Sequence, residues 1–329
     1  MTMTGRRSSR VVALAACLVL ALSACGSGGS IDEQTKKNEA NSAGKGDCGE
    51  FNLAVNPWVG YEADAYVVGT VAEQKLGCKV NYKDLKEDVS WQGFGTGDVD
   101  AVLEDWGHPD LEKKYFAASG DGSAEAFGPT GNIGIIHWYV PPWLAKAHPD
   151  VLDYKNLNKY ADKFKTSESG GKGQFLGADP SYVQFDEAII SNLKLNFKVV
   201  FSGSEAASIQ AYEKAEKNKE WLIGYFWEPQ YIHAEVPMER VKLPPYTPGC
   251  DADPAKVACD YAETELKKVA SKKYMDAGGS GATLLKNFTW TNDDQNLVAK
   301  YITADGMSPE DAAAKWIADN PDKVAEWVS

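Results

Sequence analysis

The sequence predicts an α/β fold of mostly parallel β-sheets with helices on their faces. Three observations predict it: strand-like and helix-like segments alternate from residue 51 onward, helix start and stop signals separate them, and a second alternating set follows a pair of prolines. Strands that alternate with helical patterns are typical of βαβ units, whose strands run parallel. The 329 residues suffice for two ordinary domains or one bilobal unit.

The first set opens with a predicted strand at 51–58, and its helix ends at Gly77, a residue typical of the position after a helix. Further strands are predicted at 78–85 and 98–106. A helix then begins with a proline in its first turn, at Pro109. The glycine-rich segment GFGTG is expected to be a turn rather than a phosphate-binding loop, because it lacks the Lys-Ser/Thr ending and precedes a strand.

The segment 118–131 is expected to be a loop, and the long strand predicted at 132–143 ends in two prolines, as expected of a chain crossing between lobes. The second set follows, with strands at 174–178, 197–201 and 221–227 and helices at 182–195 and 204–218. Beyond Pro245 the pattern is mixed until the closing helices, for which Ser308 is the expected N-cap.

The N-terminus has the shape of a signal peptide. Three arginines precede the apolar run 11–24, which is too short for a comfortable membrane span. Leu22-Ser23-Ala24-Cys25 resembles a bacterial lipobox, so residues 1–24 are expected to be removed and Cys25 lipidated; ordinary secretory cleavage beside a chance cysteine is the alternative. Residues 25–45 are expected to be a flexible tether.

Composition and cysteines fit an exported protein. A net charge of −13 without a basic run argues against nucleic-acid binding. In an oxidising compartment Cys48, Cys78, Cys250 and Cys259 predict two disulfides. Three pairings are possible; we favour Cys48–Cys78, because each precedes a strand of a predicted parallel pair, and Cys250–Cys259 within one loop. A metal site is disfavoured because CxxC spacing is absent and the histidines are scattered.

Tryptophans stand at the carboxyl ends of three predicted strands: Trp58, Trp106 and Trp227. Ligands of open α/β sheets bind at this edge, in the crevice where helices begin. An indole face attracts a cation that cannot donate hydrogen bonds, with about 2 kcal/mol or more per contact when it is desolvated. The three indoles therefore favour a cation site over separate core positions.

Charged residues qualify this interpretation. Glu104 and Asp105 either help neutralise a cation or are solvated at a strand end. After the signal peptide the chain has a single arginine, Arg240, so a bidentate arginine clamp on a ligand anion is not expected. A ligand carboxylate would instead be held by backbone N–H groups in the turn Val59–Glu62 before the first helix. No GxSxG or HExxH motif is present, and the sequence predicts no enzyme and no cofactor.

At these positions the chain resembles the quaternary-amine-binding proteins of bacterial ABC importers. The resemblance covers nearly all of the chain from Phe51 and rests on GDVDAVLEDWGHPDLEKKY, VPPWLAKAHPDV, LGADPSYVQFDEA and YFWEPQYI. It implies a two-lobed, periplasmic-binding-protein-like fold of type II, with a mostly parallel sheet in each lobe and the ligand cleft between the lobes. The expected lobes are 46–140 with 240–329, and 141–239.

The resemblance implies a set of ligand-binding residues: Trp58, Trp106, Tyr139, Tyr182, Trp227, His108 and Asp179. Trp138 is the rival of Tyr139, because the phase of the crossing strand is not fixed by the sequence. Some betaine-type members have a histidine four residues after the tryptophan, where this chain has Asp110, and some have a third tryptophan where it has Tyr182.

The implied function is capture of a small quaternary ammonium compound (glycine betaine, choline, carnitine or similar) and delivery to an ABC permease with its ATPase. The protein is expected to be an extracytoplasmic monomer, held at the outer face of the cell membrane by its lipid alone. Trimethylamine oxide, dimethylsulfoniopropionate and a polar amino acid are alternative ligands. A lipid-anchored hydrolase using Glu104, Asp105 or Glu228, and a sensory module sharing the fold, are the competing functions.

Overall fold

The structure, a computed structural model, describes residues 48–329. The predicted signal peptide, Cys25 and the tether lie outside the described residues. The strands are β1 (Glu50–Val55), β2 (Lys79–Asp84), β3 (Ala101–Asp105), β4 (Ala124–Val140), β5 (Gly173–Gly177), β6 (Phe197–Phe201), β7 (Gly224–Glu228), β8 (Glu239–Arg240) and β9 (Glu263–Ser271). The helices are α1 (Val59–Leu76), α2 (Glu87–Thr96), α3 (Pro109–Tyr115), α4 (Pro142–Ala147), α5 (Leu157–Tyr160), α6 (Asp186–Asn192), α7 (Glu205–Asn218), α8 (Lys272–Ala277), α9 (Ser280–Asn287), α10 (Asn292–Thr303), α11 (Pro309–Asp319) and α12 (Pro321–Trp327).

The strands of residues 48–329 form one sheet in the order β2-β1-β3-β9-β4-β7-β5-β6, with β8 paired to β4. At one end β1 runs parallel to β2 and β3; at the other β5 runs parallel to β6 and β7. Between these sets lie the antiparallel strands β4 and β9. The predicted α/β class is confirmed, and the parallel strand ends of each set meet at one edge, where crevices form.

The first helix shows how local sequence sets this arrangement. It follows β1 after a three-residue connection and ends at Gly77, whose left-handed backbone (φ 70°) lets its N–H reach the carbonyls of Ala72 and Glu73. The predicted stop is therefore confirmed. The expected turn Val59–Glu62 is wrong: these residues form the first turn of α1, so their N–H groups point out of a helix N-terminus.

Two local predictions are wrong because long-range pairing or helix continuation prevails. The predicted loop 118–131 is a strand from Ala124 on, since β4 pairs with β9 from Ala124↔Ser271 to Ile135↔Glu263. GFGTG is not a free turn: its first four residues end α2, and Gly97 (φ 82°) caps it. Neither glycine-rich segment carries a local sequence signal for the strand pairing or the helix in which it takes part.

Both favoured disulfides are present, Cys48–Cys78 with a Cα–Cα distance of 4.9 Å and Cys250–Cys259 with 6.4 Å. The first disulfide follows from the parallel register of β1 and β2. Glu50 lies opposite Lys79, so the cysteines that come shortly before these two residues lie close together. The cysteines of the second disulfide are 9 positions apart in the sequence, and those of the first are 30 positions apart.

No helix within residues 48–329 is long and apolar enough to cross a membrane.

The buried carboxylate of Asp186 links α6 to β4 and to the segment before β9. Asp186, the first residue of α6, is 1% exposed and accepts hydrogen bonds from the indole Nε1 of Trp138 (2.7 Å) and the hydroxyl of Tyr261 (2.7 Å) through one oxygen. Burial raises the pKa of Asp186 to about 6, although the two hydrogen bonds oppose the shift. The indole of Trp138 is thereby fixed within the core.

We predict that the longer disulfide loop contributes more stability. Replacing Cys48 and Cys78 by serine is expected to lower the free energy of unfolding by about 3–4 kcal/mol, and replacing Cys250 and Cys259 by about 2.5–3 kcal/mol, because loop-closure entropy grows with loop length. Guanidinium unfolding of both double variants, with the wild type as control, measures this. Equal or reversed losses would contradict it.

A second prediction concerns pH. Because the folded pKa of Asp186 is raised, the native state retains a proton that the unfolded chain has released, so the free energy of unfolding declines as pH rises from about 4 through 6, by at most about 1.4 kcal/mol per unit from this group. Asp186→Asn cannot ionise, and its stability relative to the wild type is expected to increase over that window. Unfolding curves at pH 4, 5, 6 and 7 measure the difference; a constant difference would show that Asp186 does not titrate there.

Candidate functional site

A small pocket lies between the two parallel strand sets; its empty space, counted together with the part that opens to solvent, is about 270 Å³. Aromatic side chains dominate its walls, and a single charged residue contributes. The lining residues are Trp58, Glu87, Trp106, Ile136, Tyr182, Val183, Tyr225 and Trp227. The aromatic lining residues are each at most 9% exposed, so their ring faces meet in a nearly water-free space.

One wall comes from the ends of β1 and β3, which pair in parallel. Trp58 follows β1 and is the N-cap residue of α1, and Trp106 follows β3 directly. A Cβ at Gly134 on β4 would lie 2.6 Å from the Cζ3 atom of Trp106, so glycine there makes room for the indole. The sheet register thus brings together two tryptophans that are distant in sequence.

The opposite wall comes from β7, β4 and the connection after β5. Tyr225 and Trp227 are two residues apart on β7, so their side chains face the same side of the sheet. Ile136 on β4 lies opposite Trp227. Tyr182 lies in the β5–α6 connection, with its ring 5.4 Å from that of Trp58 and 5.6 Å from that of Trp227, both nearly perpendicular. Tyr182 therefore joins the two walls.

The carboxylate of Glu104 fixes the first wall. Its Oε2 atom accepts hydrogen bonds from the indole Nε1 atoms of Trp58 (2.8 Å) and Trp106 (3.0 Å). Its Oε1 atom accepts from the amide of Gln295 on α10 (2.6 Å), which reaches it past Gly60, where a Cβ would collide with the amide. Glu104 is fully buried, so both indole planes are held by one charge-assisted acceptor.

Asp64 on α1 is a second fully buried carboxyl beside Glu104. Burial, the negative charge of Glu104 and a side-chain hydrogen bond between the two carboxyls raise the pKa of Asp64 well above its usual range. The raised pKa favours the protonated form of Asp64. Of this adjacent pair, Glu104 is the one that contacts the two indole N–H groups.

Glu87, at the start of α2, is the charged residue in the cavity wall and is 2% exposed. One oxygen lies 2.9 Å from the Nε2 atom of His108, while the other has no hydrogen-bond partner among the described residues. Burial raises the pKa of Glu87, and His108 opposes the shift. Burial disfavours the charged form of His108, but its contact with Glu87 and the nearby charge of Asp105 outweigh this and raise its pKa.

Most of the other polar side-chain groups of the wall are already hydrogen-bonded. The hydroxyl of Tyr182 donates to the Pro57 carbonyl (2.9 Å) and that of Tyr225 to the Val183 carbonyl (3.0 Å). Among the lining tyrosines and tryptophans, the Nε1 atom of Trp227 alone has no hydrogen bond to another described residue. The cavity therefore offers ring faces, one carboxylate oxygen and few donors.

The N-terminus of α1, where a ligand carboxylate was expected to bind, is occupied by the protein itself. The N–H of Val59 donates to Oε2 of Glu205 (2.8 Å), and the amide of Gln230 donates to Oε1 (2.7 Å). Glu205 begins α7 in the second strand set and is 8% exposed. Burial raises its pKa to about 7, against the two hydrogen bonds.

Three of the predicted site residues lie outside the cavity lining. Tyr139 is on the other face of β4 and donates to Glu228 (2.9 Å), and its rival Trp138 is bound to Asp186 in the core. Asp179 lines a neighbouring part of the cleft, where its carboxylate binds Ser181 and lies 3.3 Å from the Lys86 ammonium. His108 lies 2.9 Å from Glu87 and lines another neighbouring part of the cleft.

The structure brings Trp58, Trp106, Tyr182 and Trp227 together and adds Glu87, Ile136, Val183 and Tyr225, which sequence reasoning missed. Period-two alternation on β7 could have indicated Tyr225, two residues before Trp227. Glu87 gave no comparable signal, because α2 was not recognised. Arg240 lies away from the cavity and pairs with Glu228 at 2.7 Å.

Within residues 48–329 no cluster of three or more His, Cys, Asp or Glu side chains could hold a metal ion. What the cavity can hold is a small cation. Aromatic faces attract a desolvated cation through their quadrupoles, and Glu87 and Glu104 add negative charge without supplying donors.

Comparison with known proteins agrees with this chemistry. Residues 49–319 match the family "Substrate binding domain of ABC-type glycine betaine transport system". The trimethylamine N-oxide-binding protein of Pelagibacter ubique is 26% identical over 277 residues, covering 82% of this chain and 87% of that protein.

Solved structures share the fold. A choline-binding protein of an ABC transporter in complex with choline has a TM-score of 0.68 at 22% identity, covering 85% of this chain and 91% of that one. Lactococcal OpuAC, closed on glycine betaine, has a TM-score of 0.65 at 20% identity, covering 85% and 99%. The predicted periplasmic-binding-protein-like fold is thereby confirmed.

The family match spans most of the chain and is a match to solute-binding domains. It makes the protein extracytoplasmic and a solute-binding protein rather than an enzyme. The chain belongs to the substrate-binding domains of ABC-type glycine betaine transport systems.

Proposed function

We propose that this protein captures a small quaternary ammonium compound, such as glycine betaine, choline or carnitine, in an aromatic cage and delivers it to its ABC permease. The cage residues are Trp58, Trp106, Tyr182, Tyr225 and Trp227. The observation that carries the proposal is the convergence of these five residues, from four separate segments of the chain, on one pocket.

The energetics suit such a ligand. Each cation–π contact in a desolvated site contributes about 2 kcal/mol or more, and several rings surround one head group here. A methylated ammonium has no N–H to satisfy, so a wall with few free acceptors costs it little. Ligands with a net negative charge are disfavoured, because no lysine or arginine lines the cavity and Glu87 lies in its wall.

Capture is proposed to proceed by closure of two lobes, 46–140 with 240–329 and 141–239, about strands β4 and β9. Under this division the cage spans both lobes. Three of the contacts that bridge them lie beside the cage: the Tyr182 hydroxyl to Pro57, Glu205 to the Val59 N–H, and Lys86 to Asp179. These contacts represent a closed arrangement that excludes water from the cage.

Anchoring follows from the N-terminal sequence, which lies outside the described residues. Cleavage before Cys25 and lipidation of its sulfur would attach the domain, as a monomer, to the outer face of the membrane through the tether 25–45. The lipid would keep the binding domain close to the permease and its ATPase.

Trimethylamine oxide is the second candidate ligand, favoured by the name of the relative that spans 82% of this chain. Its three methyl groups present the same surface to the rings. The sulfur-methylated zwitterion dimethylsulfoniopropionate and polar amino acids rank below it.

We predict that Trp106→Ala and Trp227→Ala each weaken binding of the preferred amine at least tenfold, because one desolvated cation–π contact is worth more than the about 1.4 kcal/mol of a tenfold change. Calorimetric titration with choline, glycine betaine, carnitine and trimethylamine oxide measures this. Trp143→Ala is the matched control, since its indole bonds the Glu220 carbonyl outside the cavity. Absence of heat with every amine, or equal effects in all three variants, would reject the proposal.

We also predict separable effects at Glu104. Glu104→Gln keeps an oxygen for the indole N–H groups but removes the charge, so binding of a cationic amine is expected to weaken about tenfold. Glu104→Ala also leaves both indoles without an acceptor and is expected to lower the free energy of unfolding by about 1–3 kcal/mol more.

Calorimetry with choline and its uncharged carbon analogue 3,3-dimethylbutanol, together with thermal unfolding, separates charge from orientation. An equal effect of Glu104→Gln on both ligands would show that the charge of Glu104 plays no part.

A further inference from the structure

We infer that Glu87 selects the polar end of the ligand: the preferred solute is a monocationic methylated ammonium that carries a hydrogen-bond donor, rather than a zwitterion with a carboxylate. This inference rests on the proposed function and narrows its ligand class. It is carried by the buried side chain of Glu87, which lines the cavity and has one carboxylate oxygen without a hydrogen-bond partner among residues 48–329.

The carboxylate is held in place rather than mobile. Glu87 begins α2, where the positive end of the helix dipole favours an acid, and its other oxygen contacts His108 at 2.9 Å. A buried acceptor without a partner is costly, so a ligand hydroxyl that donates to it removes that cost on binding. Water or an N–H group would satisfy the oxygen in the same way.

The balance of donors and acceptors in the wall argues in the same direction. The indole N–H groups of Trp58 and Trp106 are bound to Glu104, and the hydroxyls of Tyr182 and Tyr225 are bound to backbone carbonyls. A ligand carboxylate would find the Nε1 atom of Trp227 as a free side-chain donor of the wall and would face the charge of Glu87. A ligand hydroxyl meets an acceptor that is already in place.

Electrostatics strengthens the preference. The cavity wall contains no lysine or arginine, whereas Glu87 lies in it and Glu104 lies directly behind the indoles. A net positive ligand is attracted by both carboxylates. For a zwitterion, the attraction of its ammonium group to these carboxylates is offset by the repulsion of its own carboxylate.

The test is calorimetric titration of the wild type and of Glu87→Gln with three probes: choline (cation with a hydroxyl), tetramethylammonium (cation without a donor) and glycine betaine (zwitterion). The wild type is expected to bind choline about tenfold more tightly than tetramethylammonium, and glycine betaine more weakly than choline. Glu87→Gln is expected to lower the ratio of choline to glycine betaine affinity about tenfold.

His108→Gln is the companion variant, because it removes the partner of Glu87 but keeps the carboxylate. If Glu87 acts on the ligand, His108→Gln still binds choline more tightly than glycine betaine, even if both affinities change. If Glu87 merely pairs with His108, both His108→Gln and Glu87→Gln lose the preference for choline. Circular dichroism and thermal unfolding establish that each variant is folded.

The outcomes separate the two proposals. A wild type that binds glycine betaine more tightly than choline, or an unchanged affinity ratio in Glu87→Gln, overturns the role of Glu87 while the aromatic cage stands. No binding of any of the three probes overturns the proposed function and this inference with it.

Discussion

The carboxylate of Glu104 is the constraint on which the cavity depends. Two indole N–H groups from different strand ends need an acceptor, and one oxygen of Glu104 serves both. Sharing it turns the ring faces of Trp58 and Trp106 toward the cavity, since their edges are committed to the acid. The other oxygen binds Gln295, so a C-terminal helix also stabilises the site. The same group therefore orients the aromatic wall and gives it negative charge.

Much of the fold could be predicted because local signals mark its ends. Gly77 ends the first helix and the Ser308 hydroxyl accepts from the Asp311 N–H, as each residue type favours. Strand β9 and the start of β4 escaped prediction because their pairing joins segments more than a hundred residues apart. The helix expected at 182–195 begins at Asp186, since the residues before it are drawn into the cleft, where the Tyr182 hydroxyl meets Pro57.

The site was predictable where strand ends carry large rings. The placement of Trp58, Trp106 and Trp227 at carboxyl ends of strands indicated the edge of the sheet at which the aromatic pocket lies. The phase of the long strand was not predictable from its run of apolar residues: Ile136 faces the cavity, while Tyr139 faces away. Glu87 could not be found either, because a buried acid on a short helix resembles a solvated one in sequence.

The hydrogen bond from Val59 to Glu205 has a consequence for selectivity. An anion at the positive end of α1 would compete with the Glu205 carboxylate of the same molecule, which already accepts from the Val59 N–H. The chain thus occupies this anion-binding position with its own side chain, while the aromatic rings of the pocket are left for a positively charged solute.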